Sequence, residues 1–278
     1  MNRYIAQKQI TEIAKHAAMI VICLVTLFPI LWILAQSLKG YFDTIAVPPR
    51  IFFTPVLDNF RHVLQRRGFL QALSDSLIVA LGSSMLGLFL GTPCGYALAR
   101  IRFRGSDTVG FFLLITRMVS PIVIIIPLNR LFAVFGLMDS HTGLILAHTF
   151  INIGLVVWMM RGYFGDIPES LEEAARIDGC STVTAFWRVA LPTAAPGLAA
   201  SGIFCFLFSW NEFMFALTLT SRAVHTSPVF ISSEFIGYLA VEWGLLSASG
   251  MLIVLPMLIF VVAIQKNLIR GLTMGAVK

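Results

Sequence analysis

Six stretches of about twenty residues in this chain are nearly free of charge, and no water-soluble fold can absorb that pattern. At 1.5 Å per residue, a helix of that length crosses the ~30 Å hydrocarbon core of a bilayer. Ala17–Leu38 and Ser76–Leu98 carry no charge. Thr108–Leu128 holds Arg117 alone, and His141–Met160 has only His141 and His148 as titratable groups. Pro196–Thr220 contains the single acid Glu212, and Trp243–Gln265 again has none. Composition agrees: 58% of the 278 residues are hydrophobic and 12% charged, whereas globular chains run near a quarter charged. The mean hydropathy is +0.86.

The formal charge of +6 sets twenty Lys and Arg, spread in ones and twos, against fourteen Asp and Glu. That dispersal excludes the massed basic face of a nucleic-acid binder, and the apolar content excludes a disordered chain. The lipid bilayer, not nucleic acid, is the expected partner. The first run is 22 residues long, longer than the apolar region of a signal peptide and followed by no small-residue cleavage site, so it reads as a span. Cys23, Cys94, Cys180 and Cys205 lie far apart, with neither metal-ligand spacing nor a disulfide framework.

An even number of spans puts both termini on one side, and basic residues in the connections select which. Segments 1–16, 99–107, 161–195 and 266–278 hold twelve Lys and Arg; segments 39–75, 129–140 and 221–242 hold seven over nearly the same length. The expectation is therefore an all-α membrane protein of six helices with both termini in the cytoplasm. Its parts are a segment 1–16, a six-span domain 17–265 and a tail 266–278. Gly87, Gly91 and Gly95 recur every fourth residue in the second run. Such a stripe lets helix backbones approach closely in lipid, as a packing seam or, alternatively, a hinge or pore-lining face.

Segment 161–195 is patterned rather than featureless. Asp166-Ile-Pro-Glu169 has the form of a helix start, Ser170-Leu-Glu-Glu173 repeats it one turn later, and Gly179 is a stop. A second helix opens at Ser181, shows Val183, Phe186, Trp187 and Ala190 at helical spacing, and meets Pro192. Two short amphipathic helices joined by a glycine turn, projecting between two spans, point to docking of a partner.

At this point the residues resemble a known family. Glu173-Ala174-Ala175, three residues, Gly179, nine residues to Val189 and then Leu191-Pro192 is similar to the EAA loop of bacterial ABC importer permeases, with Val189 in place of the usual isoleucine. Leu171–Gly179, Trp210-Asn211-Glu212-Phe213 and the end Arg270–Lys278 resemble the carbohydrate-uptake group, in particular the smaller permease subunit of the maltose-transporter type. The resemblance implies a type I ABC importer transmembrane domain with a cytoplasmic coupling helix, in a bacterial inner membrane. It implies pairing with a second permease subunit as a heterodimer, two copies of a cytoplasmic ATPase, and an extracytoplasmic solute-binding protein. Glu173, Ala174, Ala175, Asp178, Gly179, Leu191 and Pro192 would carry the coupling, with Glu173 meeting an arginine of the ATPase, and the C-terminal tail would approach the ATPase interface. ATP and Mg would sit on that partner; no cofactor is expected on this chain, which lacks any Gly-Lys pair and hence a phosphate-cradling loop. No catalytic role is expected.

Ionisable groups inside spans mark functional positions, because lipid does not tolerate them alone. Trp210, Asn211 and Glu212 would lie in the outward half of the fifth span, as a sugar-contacting trio or as polar packing. Arg117 would pair with Glu212 or with a partner subunit. His148 and Asn152, one turn apart, would hydrogen-bond between helices or face the solute. Pro121 and Pro127 would bend the third span. The outer segments 39–75 and 221–242 would meet the binding protein. An importer for a sugar, a polyol or a glycerol-phosphate solute fits this pattern. An autonomous secondary transporter would instead show an inverted repeat and midplane carboxylates.

Overall fold

The computed structural model describes residues 2–101, 103–236 and 241–274, with side chains over 12–101, 103–236 and 241–262. The tail motif Arg270–Lys278 therefore lies outside the described side chains. The chain divides into two compact units, Met1–Arg67 with Ser233–Val254, and Gly68–Ser232 with Leu255–Lys278. Among the described residues regular structure is helical, apart from one isolated bridge between Ile236 and Val241.

In the first unit, α1 (Asn2–Ser37) is a long helix exposed on every side through its apolar stretch, including Ile22, Val25 and Phe28. A helix apolar all round needs lipid or another protein as its surroundings. Its last carbonyls have no helical partner, and Asn59 supplies one. The Asn59 amide donates to the carbonyls of Ser37 and Lys39 at 2.9 and 2.8 Å. Lys39 is buried with its ammonium over the rings of Trp32 and Phe53. Short helices α2 (Tyr41–Thr44) and α3 (Asp58–Gln65) complete the segment.

In the second unit, α4 (Phe69–Arg100) and α7 (His141–Asp166) pack along the glycine stripe. A Cβ built at Gly91 would stand 2.7 Å from Cγ1 of Val156. At Gly95 it would meet Cβ of Met160 at 2.9 Å and the backbone of Val157 and Arg161 at 3.0 Å. The stripe is thus a packing seam in which α7 occupies the space that side chains would fill. Between these helices lie α5 (Ser106–Ile115), a 3-10 turn (Thr116–Met118) and α6 (Pro121–Val134).

The third apolar run is not one straight span. The axis turns by 92° between Ser106–Met118 and Pro121–Val134. Val119 and Ser120 leave helical geometry (ψ 128° and 130°), and at Ser120 the ring of Pro121 disfavours the helical region. Pro127 sits inside α6, so the break belongs to Pro121.

After α7 come α8 (Ser170–Ile177), α9 (Thr182–Ala185), a π-helical turn (Phe186–Ala190) and α10 (Leu191–Thr193). The fifth run is divided as well: α11 (Ala195–Trp210) stops after 16 residues, and α12 (Met214–Leu219) follows a break at 211–213. Sixteen residues rise only about 24 Å, short of a full crossing. The last described elements are α13 (Ser227–Glu234) and α14 (Trp243–Met274).

At the end of α7 opposite α8, Asp139 adopts φ 52° and folds its carboxylate onto segment 221–224. It accepts from the backbone N–H groups of Ser221, Arg222, Ala223 and Val224 and from the Ser221 hydroxyl at 3.0–3.3 Å. Its own N–H donates to the Leu219 carbonyl at 2.8 Å. Partial burial alone would raise the carboxyl, but the donors from Ser221, Ala223 and Arg222 outweigh it and hold the group well below the usual carboxylate range. The folded group titrates below its unfolded counterpart, so its stabilisation is fully present above about pH 5 and is lost as pH falls towards the folded value.

Two outcomes follow for the purified protein in detergent, read by thermal unfolding. Gly95→Ala destabilises by about 1–3 kcal/mol through overpacking, while Gly250→Ala, where a Cβ meets nothing within 4 Å, does not. Asp139→Asn lowers stability by about 2 kcal/mol at neutral pH, and the gap from wild type narrows below about pH 4.

Candidate functional site: coupling loop and intramembrane polar cluster

The helix pair between α7 and α11 is built by local rules. Asp166 is the last residue of α7, not the N-cap of the next helix, because Ile167 precedes Pro168 and is extended (ψ 127°). Ser170 opens α8 instead. Gly179, at φ 91°, ends the turn after α8. The Cys180 N–H bonds to the Ala175 carbonyl at 3.0 Å and the Gly179 N–H to that of Arg176 at 3.1 Å, the paired closure that a left-handed residue permits. Ser181 then caps α9 by accepting from the Thr184 N–H at 3.2 Å.

Pro192 does not stop this second helix. It has no N–H and its ring crowds the preceding turn. The chain widens into the π-helical turn, where the Leu191 N–H reaches the Phe186 carbonyl, and helical structure continues through Pro192 into α10.

The loop has two faces. Phe186 is buried against Tyr96 and Phe164, with ring centroids 4.7 and 6.1 Å away, and Ala185, Ala190 and Ala175 face the same way. Outward stand Leu171, Ile177, Val183 and Trp187, the last three more than half exposed at 87%, 67% and 54%. Of the residues expected to couple, Glu173, Ala174, Asp178, Gly179 and Pro192 are exposed, Leu191 is half-buried and Ala175 is buried.

The acid beside Glu173 behaves differently. Glu172 has a side chain 3% exposed and accepts from the Tyr96 hydroxyl at 2.5 Å and from Nε of Arg100 at 2.8 Å. Arg100 also donates to the Ile167 carbonyl at 2.9 Å. Sequence reasoning passed over this triad. Its one signal was the pair of adjacent acids, which on a helix point about 100° apart, so that only one can face out with Leu171 and Ile177. A further ion pair, Arg161 with Asp107, joins α7 to the start of α5.

Within the apolar region, α4, α7 and α11 meet at a polar cluster. Nδ1 of His148 lies 2.7 Å from the Ser209 hydroxyl, to which the Ser83 hydroxyl donates at 2.9 Å. Nε2 of His148 is 3.3 Å from Glu212, at ion-pair range but outside hydrogen-bond alignment. The Glu212 carboxylate turns forward and accepts from the N–H groups of Phe215 and Ala216 at 3.0–3.2 Å, capping α12 where the fifth run breaks.

Arg117 does not pair with Glu212. It donates to the Asn152 amide oxygen at 3.3 Å and lies 3.8 Å above the Phe208 ring. Glu212 is already engaged by His148 and two backbone donors. The trio Trp210, Asn211 and Glu212 points three ways: Trp210 is buried and stacked on Phe206, exposed Asn211 donates back to the Leu207 carbonyl, and Glu212 caps α12. Among the described residues no three His, Cys, Asp or Glu side chains converge on a point that could hold a metal.

Residues 84–274 match the family described as "binding-protein-dependent transport system inner membrane component". Similar proteins include the probable ABC transporter permease protein y4oR of Sinorhizobium fredii, 34% identical over 93% of this chain and 92% of that one. The trehalose transport system permease protein SugB of Mycobacterium tuberculosis is 36% identical, covering 91% of this chain and 92% of its own length. A bacterial ABC transporter involved in import of the acidic polysaccharide alginate has a similar fold, with a TM-score of 0.76 at 23% identity over 93% of this chain and 96% of that one. Its fold is thus that of an ABC importer transmembrane domain, and the chain belongs to the family of binding-protein-dependent transport system inner membrane components, as an ABC permease.

Proposed function

We propose that this chain is one of two permease subunits of an ATP-driven importer for a sugar or related solute. It forms half of the translocation pathway and hydrolyses no ATP itself; a separate cytoplasmic ATPase, present in two copies, grips the loop between α7 and α11. Both termini lie on that cytoplasmic side, and a solute-binding protein delivers cargo to the opposite face. The carbohydrate reading rests on the resemblance of the sequence and on relatives such as the trehalose permease.

The observation that carries the docking role is the outer face of the loop. Three large apolar side chains, Ile177, Val183 and Trp187, stand more than half exposed on helices whose inner face is already packed, and exposed Glu173 and Asp178 flank them. An aromatic anchor in an apolar patch with charge nearby is the composition of an interface hot spot. Along the pathway, Arg117 and Asn211 retain exposure and are assigned to meet solute, while His148, Asn152, Trp210 and Glu212 brace the helices around them.

Co-purification with the ATPase tests this. Glu173→Arg and Trp187→Ala each weaken ATPase retention by at least about 30-fold, as loss of a hot-spot side chain does, without lowering the unfolding temperature of the isolated subunit. Unchanged retention in both variants rejects the docking role.

A further inference from the structure

The loop and the span bundle are joined by two kinds of contact. The packing of Phe186 against Tyr96 and Phe164 is apolar and non-directional, so it resists separation far more than sliding. The triad of Glu172, Tyr96 and Arg100 is directional. Both Glu172 carboxylate oxygens are held from the last turn and a half of α4, and the same guanidinium grips the Ile167 carbonyl in the link between α7 and α8. One buried carboxylate thereby fixes α8 to the ends of two spans at once.

We propose that Glu172 is the positioning residue through which movement of the loop reaches α4, and that Tyr96 and Arg100 are its receivers. The proposal rests on the docking role above but concerns a different side chain. Glu173 faces the partner, whereas Glu172, one residue earlier and about 100° around the helix, faces the bundle. α8 and α4 therefore move as one rigid piece when the ATPase closes. With the triad weakened, α8 still docks but slides over its apolar bed, and α4 lags behind.

Tyr96→Phe removes a single oxygen and keeps the aromatic packing, and Glu172→Gln keeps the shape but removes the charge. The test uses the assembled complex with its ATPase, in a background where the four native cysteines are replaced. Spin labels are placed at exposed Met85→Cys on α4 and exposed Ser170→Cys on α8. Their separation is measured without nucleotide and after trapping with ATP and vanadate.

In the parent complex the separation stays the same in both states. In Tyr96→Phe and Glu172→Gln it matches the parent without nucleotide, then shifts or broadens on trapping, and the double variant behaves no worse than Glu172→Gln alone. ATPase retention and basal hydrolysis stay within about two-fold of the parent. A separation that remains fixed on trapping in both variants overturns the proposal, as does one already altered without nucleotide, which marks a purely structural brace. If Glu173→Arg and Trp187→Ala leave ATPase retention intact, the docking role fails instead, whatever the labels at α4 and α8 report.

Discussion

The close approach of α4 and α7 is the constraint on which the rest of this structure depends. Lipid offers no drive for one apolar helix to leave it for another, so association rests on dispersion and on polar groups that close packing brings into range. Gly91 and Gly95 place the two backbones almost in contact, and the consequences run along the seam. At the middle, nearness lets Ser83 and His148 share Ser209 of a third helix. Where the helices leave the seam, Arg100 and Tyr96 of one come within reach of the loop that follows the other.

Broken helices are the second theme, and two of the breaks are repaired by a specific side chain or geometry. In an environment without water, every backbone group freed by a break needs a partner. Glu212 supplies two acceptor oxygens to the start of α12, and the π-helical turn absorbs the missing donor of Pro192. Buried Glu172 and half-buried Glu212 are thus both fastened at two points or more, and neither resembles a loose charge awaiting a solute. Arg117, held by one amide and one ring, is the less constrained ion.

Much of the architecture was legible in the sequence because it depends on short-range rules. Runs of apolar residues show their length directly, and Gly179 and Ser181 act on neighbours within one turn. The legible part of the loop stopped at its outer surface. Glu172 and Glu173 are identical in chemistry, and only the helix phase together with Arg100, seventy-two residues away, separates the buried one from the exposed one. The break at 211–213 carries no proline or glycine, so apolar composition concealed it. Of the two partners that the sequence suggests for Arg117, Glu212 is excluded for a related reason: that carboxylate is committed to backbone donors that composition does not display. Asp166 misled as well, since a carboxylate before Ile-Pro has the form of a cap, yet α7 runs through it and ends only at the extended Ile167 before Pro168.

The carboxylate of Asp139 adds a mechanical corollary. It binds four consecutive N–H groups of segment 221–224 at the tip of α7, while the other tip leads into the loop that carries α8. The segment from Leu219 to Val224 is therefore pinned to the start of α7 through both the carboxylate and the backbone of Asp139. Five hydrogen bonds to one carboxylate make this junction the most densely fastened corner described at that end of α7.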